Sequence, residues 1–307
     1  MLAFLIRRLG QSVFVLIGIT LFVSFTIRLS GDPAVALFQG ASAPTPEQLA
    51  SIREALGTDR PFLQQYVEFV AGVARGDLGT SFRTGGPVAD AVMRRFPTTV
   101  ALALSSLAIS LLLAVPLGVL AARRRGGVAD LAVRVVSLLG LSFPNFWLGI
   151  MLILIFGVRL RWLPPSGYEG PVSLILPSLT LGLILASTTT RLVRSSLLDV
   201  LNEQYVVTAR AKGIHENAVV YLHALRTALI PLVTFVGLQI GGLIGGVVII
   251  EKVFAWPGLG SLALNAIAVR DYPMLQGTIV VLAVFIAAIN LLVDMSYALL
   301  DPRVRVG

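Results

Sequence analysis

Long apolar runs separated by short polar stretches dominate the pattern of the 307-residue chain. The runs lie at about residues 9–27, 98–122, 131–158, 174–192, 228–250 and 274–300. Each is long enough to carry a helix across the hydrocarbon core, which takes about 20 residues. Pro116 interrupts the second run, but bundles of membrane helices tolerate a proline kink. The pattern therefore predicts an all-α polytopic membrane protein with six transmembrane helices.

The first apolar run follows Arg7 and Arg8 and is too long for the apolar region of a cleaved signal peptide. In addition, no small-residue cleavage site follows the run closely. We therefore interpret residues 1–29 as an N-terminus with an uncleaved first helix that enters the membrane from the cytoplasm.

Residues 30–97 are rich in proline, glycine and charge, and they predict a helical subdomain outside the membrane. Thr45 as N-cap and Gln48 at the capping-box position predict a helix over 46–56, which Gly57 ends. A second helix is predicted over 62–74, where the apolar residues fall on one face. That face holds Phe62, Tyr66, Phe69, Val70 and Val73.

The basic residues predict the orientation, because lysine and arginine collect on cytoplasmic loops. With the N-terminus inside, the cytoplasmic side holds Arg7, Arg8, Arg123, Arg124, Arg125, Arg134, Arg191, Arg194, Arg210, Lys212, Arg226, Arg303 and Arg305. The opposite short loops hold Arg159, Arg161, Lys252 and Arg270. We therefore predict that both termini are cytoplasmic and that 30–97 is extracytoplasmic. Residues 98–300 then form a membrane core of five helices with a cytoplasmic loop at 195–227, and 301–307 form a cytoplasmic tail.

Composition narrows the function classes. Charged residues make up 13% of the chain and hydrophobic residues 56%, whereas soluble domains carry about 25% charge. The net charge of +8 lies in loops and lacks the aromatic-interleaved basic face of a nucleic-acid binder. The chain has no cysteine, which excludes disulfides and thiol catalysis. His215 and His223 are not at metal-ligand spacing, so we expect no metal site.

Two enzyme classes lack their motifs. The phosphate-binding pattern Gly-x-x-x-x-Gly-Lys-Ser/Thr is absent, so the chain is not predicted to be an ATPase. The pattern His-Glu-x-x-His is also absent, and both histidines lie outside the apolar runs, which argues against an intramembrane protease. We expect no catalytic residue in this chain and no cofactor bound to it.

The polar stretch from Tyr205 to Pro231 is unusual for a connector. Small residues precede Gly213, so a helix there has a low profile that another protein surface can approach closely, and the glycine permits a sharp turn. Alternatively, Arg210 and Lys212 place an amphipathic helix on anionic lipid. The residues alone leave both interpretations open.

The stretch resembles the cytoplasmic coupling loop of permeases in the dipeptide/oligopeptide/nickel family of binding-protein-dependent ABC importers. The resemblance rests on Thr208-Ala209-Arg210-Ala211-Lys212-Gly213, then His223-Ala224-Leu225-Arg226 and Leu229-Ile230-Pro231. The general importer motif has Glu-Ala-Ala where this chain has Val207-Thr208-Ala209, and its proline comes five residues earlier than Pro231. Both departures are typical of the peptide subset.

Motifs along nearly the whole chain resemble the same family. They are Gly31-Asp32-Pro33, Gly76-Asp77-Leu78-Gly79, Phe96-Pro97-Thr98-Thr99, Ser142-Phe143-Pro144-Asn145-Phe146, Trp162-Leu163-Pro164, Pro257-Gly258-Leu259-Gly260, Arg270-Asp271-Tyr272-Pro273 and Asp301-Pro302-Arg303. Each motif is weak alone, but their order and spacing together are specific.

The resemblance implies a transport subunit with the importer type I permease fold, in the bacterial inner membrane. It implies as partners a second homologous permease, two cytoplasmic ATPases that bind ATP and Mg, an extracytoplasmic substrate-binding protein and membrane lipid, but no nucleic acid. The residues implied to contact the ATPase are Tyr205, Thr208, Ala209, Arg210, Ala211, Lys212, Gly213, Ile214, His215 and Glu216.

Polar residues inside the apolar runs are candidates for the translocation path. These are Asn145, Gln239, Asn290 and Asp294, although each is also suited to a hydrogen bond between packed helices. A loop with Phe254, Pro257, Gly258 and Gly260 is predicted to line the outer mouth of the path. The glycines of the fifth run, at 237, 241, 242, 245 and 246, predict close helix packing, within this chain or with a second permease.

The resemblance implies that the chain forms half of the path of an ATP-driven importer for di- or oligopeptides. Nickel chelates or glutathione are alternative substrates for the same importer class. A secondary transporter driven by an ion gradient is a further alternative, although the chain shows no internal repeat.

Overall fold

The computed structural model describes residues 2–29, 31–38 and 44–300, and the predicted tail 301–307 lies outside them. The described part is helical apart from its turns and a single bridge between Thr80 and Pro87. Its helices are α1 Leu2–Leu29, α2 Pro33–Leu37, α3 Pro46–Leu56, α4 Phe62–Ala74, α5 Val88–Arg123, α6 Val128–Ser142, α7 Asn145–Leu152, α8 Ile175–Leu201, α9 Gln204–Ala211, α10 Glu216–Ala218, α11 Leu225–Ala228, α12 Ile230–Val253, α13 Leu259–Ala268 and α14 Tyr272–Leu300. Two π-helical segments, Ile153–Arg159 and Val219–Ala224, follow α7 and α10.

Six segments of the described chain are apolar and long enough to cross a membrane, provided that two bent pairs each count as one span. The four single spans are Arg7–Leu29, Val88–Arg123, Pro171–Leu201 and Tyr272–Leu292. The bent pairs are Val128–Ser142 with Asn145–Arg159, and Glu216–Ala228 with Ile230–Leu243. In the second pair, Ile230–Leu243 coincides with the predicted fifth apolar run, whereas Glu216–Ala228 lies in the segment predicted to be the cytoplasmic loop. The prediction of an all-α protein with six membrane helices is confirmed on that count.

The third predicted span is broken rather than continuous, because α6 and α7 meet at an angle of 103°. Pro144 lies at the break and lacks the N–H that a continuous helix requires. The residue before it, Phe143, is extended with φ −88° and ψ 132°, which is the conformation that a following proline favours.

Helix α5 begins at Val88, well before the predicted start near residue 98. Both Val88 and Val92 are fully buried, so their packing extends the helix into the segment that the sequence assigned to the subdomain. Pro97 and Pro116 both lie inside this helix.

The chain divides into two compact units, Met1–Thr99 with Pro257–Ala288, and Val100–Trp256 with Ile289–Gly307. These units follow packing, whereas the predicted boundaries at 29, 97 and 300 follow the sides of the membrane. The predicted boundaries stay a prediction.

In the first unit, both helices expected between residues 46 and 74 are confirmed. Thr45 and Gln48 form the capping box of α3, and Gly57 ends α3 with φ +66°. The predicted apolar face of α4 is its less exposed one. Tyr66 on that face reaches α1, where its hydroxyl donates to the carbonyl oxygen of Ile17 at 3.0 Å.

Asp271 joins the turn before α5 to the start of α14 in the same unit. Its buried carboxylate accepts hydrogen bonds from the Ser81 hydroxyl and from the backbone N–H groups of Phe82 and Met274. Two segments almost 190 residues apart in sequence are therefore held on one side chain.

In the second unit, α8 is the helix on which the others pack, and it is the most buried of the single spans. Gly118 of α5 lies so close to α8 that a Cβ there would meet the Val193 side chain at 2.7 Å. A Cβ on Gly140 of α6 would meet the Ser187 hydroxyl, and one on Gly182 would meet Ile109 of α5 at 2.7 Å. Each glycine lets two helix backbones approach closely.

An ion pair also ties α6 to α8. Asp130 is 1% exposed and accepts two hydrogen bonds from the Arg194 guanidinium, at 2.7 and 2.9 Å. It also accepts from the backbone N–H of Gly126, and Arg134 lies 3.5 Å away. The carboxylate is therefore compensated on all sides, as a buried charge requires.

We expect Gly182→Leu to destabilise the second unit by about 2 kcal/mol, because the new side chain has no space between α8 and α5. The thermal midpoint of the detergent-solubilised protein measures the effect. Gly10→Leu is the matched control, since a Cβ at Gly10 meets nothing within 4 Å. Equal midpoints for the two variants would contradict the close approach.

We expect Asp130→Ala to cost about 3 kcal/mol, because it leaves Arg194 without its carboxylate. The double variant Asp130→Ala/Arg194→Leu should recover part of the loss, since it removes both charges. Asp199→Ala on the exposed side of α8 is the control. The same thermal midpoint reports all three, and a double variant no better than the single one would contradict the role of the ion pair.

Candidate functional site

The predicted ATPase-contact residues lie on helix α9, on the tight turn that follows it and at the start of α10, within the segment 204–228. Helix α9 ends at Ala211 and the chain turns at Gly213, which has φ +76°. Two backbone hydrogen bonds close the turn, from Gly213 to the oxygen of Arg210 and from Ile214 to the oxygen of Ala209. This is a Schellman motif, in which glycine supplies the left-handed residue at no steric cost.

Arg210 and Glu216 hold the two arms of the turn together. The guanidinium donates to both carboxylate oxygens of Glu216, at 3.1 and 2.8 Å, and also to the carbonyl oxygen of Leu201 at 3.3 Å. One side chain therefore connects α9, the start of α10 and the last turn of α8.

The hydrogen bonds from Arg210 lower the pKa of the Glu216 carboxyl below its ordinary value of 4.5 and raise the pKa of the Arg210 guanidinium. Both groups are therefore charged at neutral pH. The pair stabilises the turn fully above the ordinary pKa of Glu216 and loses its effect as the pH falls through the lowered value.

Most of the ten predicted contact residues are exposed, as a docking surface requires. The exposed ones are Tyr205, Thr208, Arg210, Ala211, Lys212, Gly213, His215 and Glu216. The structure places two predicted residues elsewhere, since Ala209 is buried and Ile214 is half-buried in the core beneath α9. These two anchor the segment because they lie on its inner face.

Two exposed apolar residues of this surface were not predicted from the sequence. Val207 is 56% exposed and Leu222 is 71% exposed. Both are apolar residues in a segment predicted to meet water, and this is the signal that could have identified them. Exposed apolar residues often mark contacts with another surface.

Two further contacts fix the second arm of the segment. The Tyr205 hydroxyl donates to Thr227 at 3.2 Å, and Arg123 at the end of α5 donates to the side-chain oxygen of Asn217 at 2.8 Å. The Arg123 guanidinium also lies 5.7 Å from the centre of the Tyr221 ring. The segment is thus held to α5 as well as to α8.

Three candidates for the translocation path lie on or next to α12: Gln239 belongs to it, whereas Asn145 of α7 and Asn290 of α14 lie beside its glycines. The Gln239 amide donates to the hydroxyls of Thr188 and Thr189 on α8, at 3.2 and 3.4 Å. Asn145 lies beside Gly246, and Asn290 lies beside Gly241. Asp294 belongs to α14, but its side chain is outside what the structure describes.

The predicted outer-mouth loop is mostly buried in the structure. Phe254 is 1% exposed and packs on Gly149, where a Cβ would lie 3.1 Å from its ring. Gly258 precedes α13 as its N-cap, Gly260 is buried in the first turn, and the oxygen of Pro257 accepts from the Thr98 hydroxyl at 2.7 Å. The Phe254 ring lies in the core of the second unit, and the assignment of this loop to the outer mouth stays a prediction.

Comparison with known protein families identifies the family to which this chain belongs. Residues 114–306 match the family described as "Binding-protein-dependent transport system inner membrane component", and residues 1–103 match the N-terminal part of such membrane components. The chain belongs to this family. It is therefore an inner-membrane component of a binding-protein-dependent transport system, as the sequence motifs implied.

Several curated relatives match over almost the full length of both chains. The glutathione transport system permease protein GsiC of Pectobacterium atrosepticum is 42% identical, over 98% of each chain. The dipeptide transport system permease protein DppB of Escherichia coli is 37% identical, over 99% of each chain. The oligopeptide transport system permease protein AppB of Bacillus subtilis is 38% identical, over 99% of this chain and 100% of the relative.

The fold also matches a solved structure. A chain of the MetNI methionine ABC transporter, described in inward-facing conformations, aligns with a TM-score of 0.60 at 21% identity. The alignment covers 69% of this chain and 96% of the other. The importer type I permease fold that the motifs implied is thereby confirmed.

We expect Glu216→Gln to raise amide hydrogen exchange at residues 210–216 by up to about fivefold, because an exposed ion pair contributes about 0.2–1 kcal/mol. The wild-type protein should lose the same protection below about pH 4.5, the ordinary pKa of this carboxyl, once exchange rates are corrected for their intrinsic pH dependence. Glu203→Gln is the control, since Glu203 is the N-cap residue of α9 but its side chain makes no capping hydrogen bond. Unchanged exchange in Glu216→Gln would contradict the clamp.

Proposed function

We propose that this chain is a permease subunit of an ATP-driven importer for short peptides and that it forms half of the translocation path. Full-length similarity to permeases named for dipeptides, oligopeptides and glutathione carries the substrate class. Glutathione is itself a tripeptide, so the three names share one chemistry. Nickel chelates share less of it and are the weaker alternative.

The segment 204–228 is proposed to dock on a cytoplasmic ATPase, and the observation that carries this proposal is its rigid turn. The Schellman turn at Gly213 and the clamp of Arg210 on Glu216 give the segment one shape, with small and exposed side chains outward. A surface of fixed shape transmits rigid-body motion, which is what gating by an ATPase requires. ATP and Mg bind to the partner, and hydrolysis takes place there.

A second permease is proposed to pack on α12. One face of that helix combines the small residues Gly242 and Gly245 with the exposed apolar residues Leu238 and Ile249. A Cβ on either glycine meets nothing within 4 Å in this chain, so the backbone there is free for close approach by another helix. The path residues Asn145, Gln239, Asn290 and Asp294 would then line a route between the two permeases.

Orientation and the remaining partner complete the proposal. The excess of arginine on one set of short loops supports cytoplasmic termini. The helical segment of the first unit, α2 to α4, then faces outward, where a substrate-binding protein delivers peptide. Selectivity in this scheme lies chiefly with that protein.

We expect Gly213→Trp to lower peptide uptake per ATP hydrolysed by more than tenfold in the reconstituted complex. The bulky side chain would stand between the segment and its ATPase, and the left-handed backbone would be strained by about 1–2 kcal/mol. Gly213→Ala has the same backbone strain without the bulky side chain, so we expect it to lose less peptide uptake per ATP hydrolysed.

Gly57→Trp is the matched control for this variant. Gly57 also ends a helix in the left-handed conformation with open space around it, but it lies in the first unit. Normal uptake by the Gly213→Trp complex would overturn the docking proposal. Uptake by the chain alone, driven by a proton gradient without ATP, would overturn the importer proposal and favour the secondary-transporter alternative.

A further inference from the structure

A pocket of about 530 Å³ lies in the second unit between the last turns of α5 and the segment that follows α10. Its wall on α5 is apolar and consists of Val115, Pro116, Val119 and Leu120. Leu225 closes the other side. None of the proposed path or ATPase-contact residues lines this pocket.

The rim of the pocket is basic. Arg123 and Arg124 lie one turn beyond the apolar wall, and the Tyr221 ring faces Arg123 across the opening. Both arginines are exposed, and in the part of the chain that the structure describes neither forms an ion pair with a carboxylate. No acidic side chain lines the pocket. The rim therefore offers an anion the guanidinium of Arg124 and the remaining N–H groups of Arg123, which also donates to Asn217 and lies near Glu216.

The depth of the pocket matches one leaflet of a bilayer. From Val115 to Arg123 the helix rises about 12 Å at 1.5 Å per residue. Half of a hydrocarbon core is about 15 Å thick. The apolar run of α5 ends at Ala122, directly before Arg123, Arg124 and Arg125, so we expect the apolar wall at acyl-chain depth and the arginines at headgroup depth.

Local packing explains why this pocket stays open. Gly118 holds the opposite face of α5 against α8, so α5 has no freedom to move away from that contact and fill the space. Pro116 is part of the same wall and has no backbone N–H, so one helical hydrogen bond is missing there.

We propose that this pocket is a binding site for an anionic phospholipid of the leaflet that contacts the arginine rim, with the phosphate between Arg123 and Arg124 and an acyl chain along the α5 wall. A basic rim above an apolar groove is the complement of such a lipid. A soluble anion matches the rim but leaves the wall unused, and a zwitterionic lipid leaves the rim uncompensated. The bound headgroup lies next to the contact of Arg123 with Asn217, so the lipid holds α5 and α10 together.

The test uses the intact transporter complex purified in detergent and titrated with phosphatidylglycerol, with native mass spectrometry as the readout. Phosphatidylethanolamine with the same acyl chains forms the second arm. We expect the complex to retain phosphatidylglycerol at least tenfold more tightly. We expect millimolar inorganic phosphate not to displace it. Equal retention of both lipids, or displacement by phosphate, would overturn the lipid assignment.

Two variants examine the rim and the wall separately. Arg123→Gln/Arg124→Gln should weaken phosphatidylglycerol binding about 30-fold, at about 1 kcal/mol for each arginine. Leu120→Trp should weaken binding of both lipids at this site by filling the groove while leaving the charges unchanged.

Arg159→Gln/Arg161→Gln is the matched control, because it also removes two exposed arginines that lie outside the pocket. We expect its phosphatidylglycerol binding to equal that of the wild-type complex. An equal loss in the control, or no loss in Leu120→Trp, would show that binding reflects net charge rather than this pocket.

Discussion

Close packing against α8 is the constraint on which the second unit depends. In hydrocarbon, helices gain nothing from burying apolar surface, so association relies on van der Waals contact and hydrogen bonds. Gly118, Gly140 and Gly182 bring α5, α6 and α8 within such contact, and Asp130 with Arg194 adds a compensated charge pair. Gln239 extends the same helix-to-helix bonding to α12. A helix held on three sides moves only together with its neighbours.

That rigidity gives the segment 204–228 its place in the proposed mechanism. Helix α9 follows α8 after a short turn, and Arg210 is bonded to the last turn of α8 as well as to Glu216. A force applied to the exposed face of the segment therefore reaches α8 directly. Through α8 it reaches α5, α6 and α12, which is the rigid-body movement that alternating access needs.

The basic end of α5 connects this scheme to the membrane. Arg123 bonds to Asn217 while its neighbour Arg124 stays uncompensated at the rim of the pocket. A lipid phosphate at that rim would stabilise the contact between α5 and the segment. The surrounding leaflet then becomes part of what holds the gating element, rather than a passive solvent.

The sequence by itself determined the six apolar segments, the capping box of α3, the turn at Gly213 and the family, because each depends on residues close together in the chain. Only the tertiary structure decided the break at Pro144, since the same sequence pattern fits one continuous helix or two helices that meet at an angle. Burial of Val88 and Val92 decided where α5 begins, and packing on Gly149 turned Phe254 inward. The Asp130–Arg194 pair and the arginine-rimmed pocket likewise join residues far apart in sequence, and local patterns carry no information about which distant side chains meet.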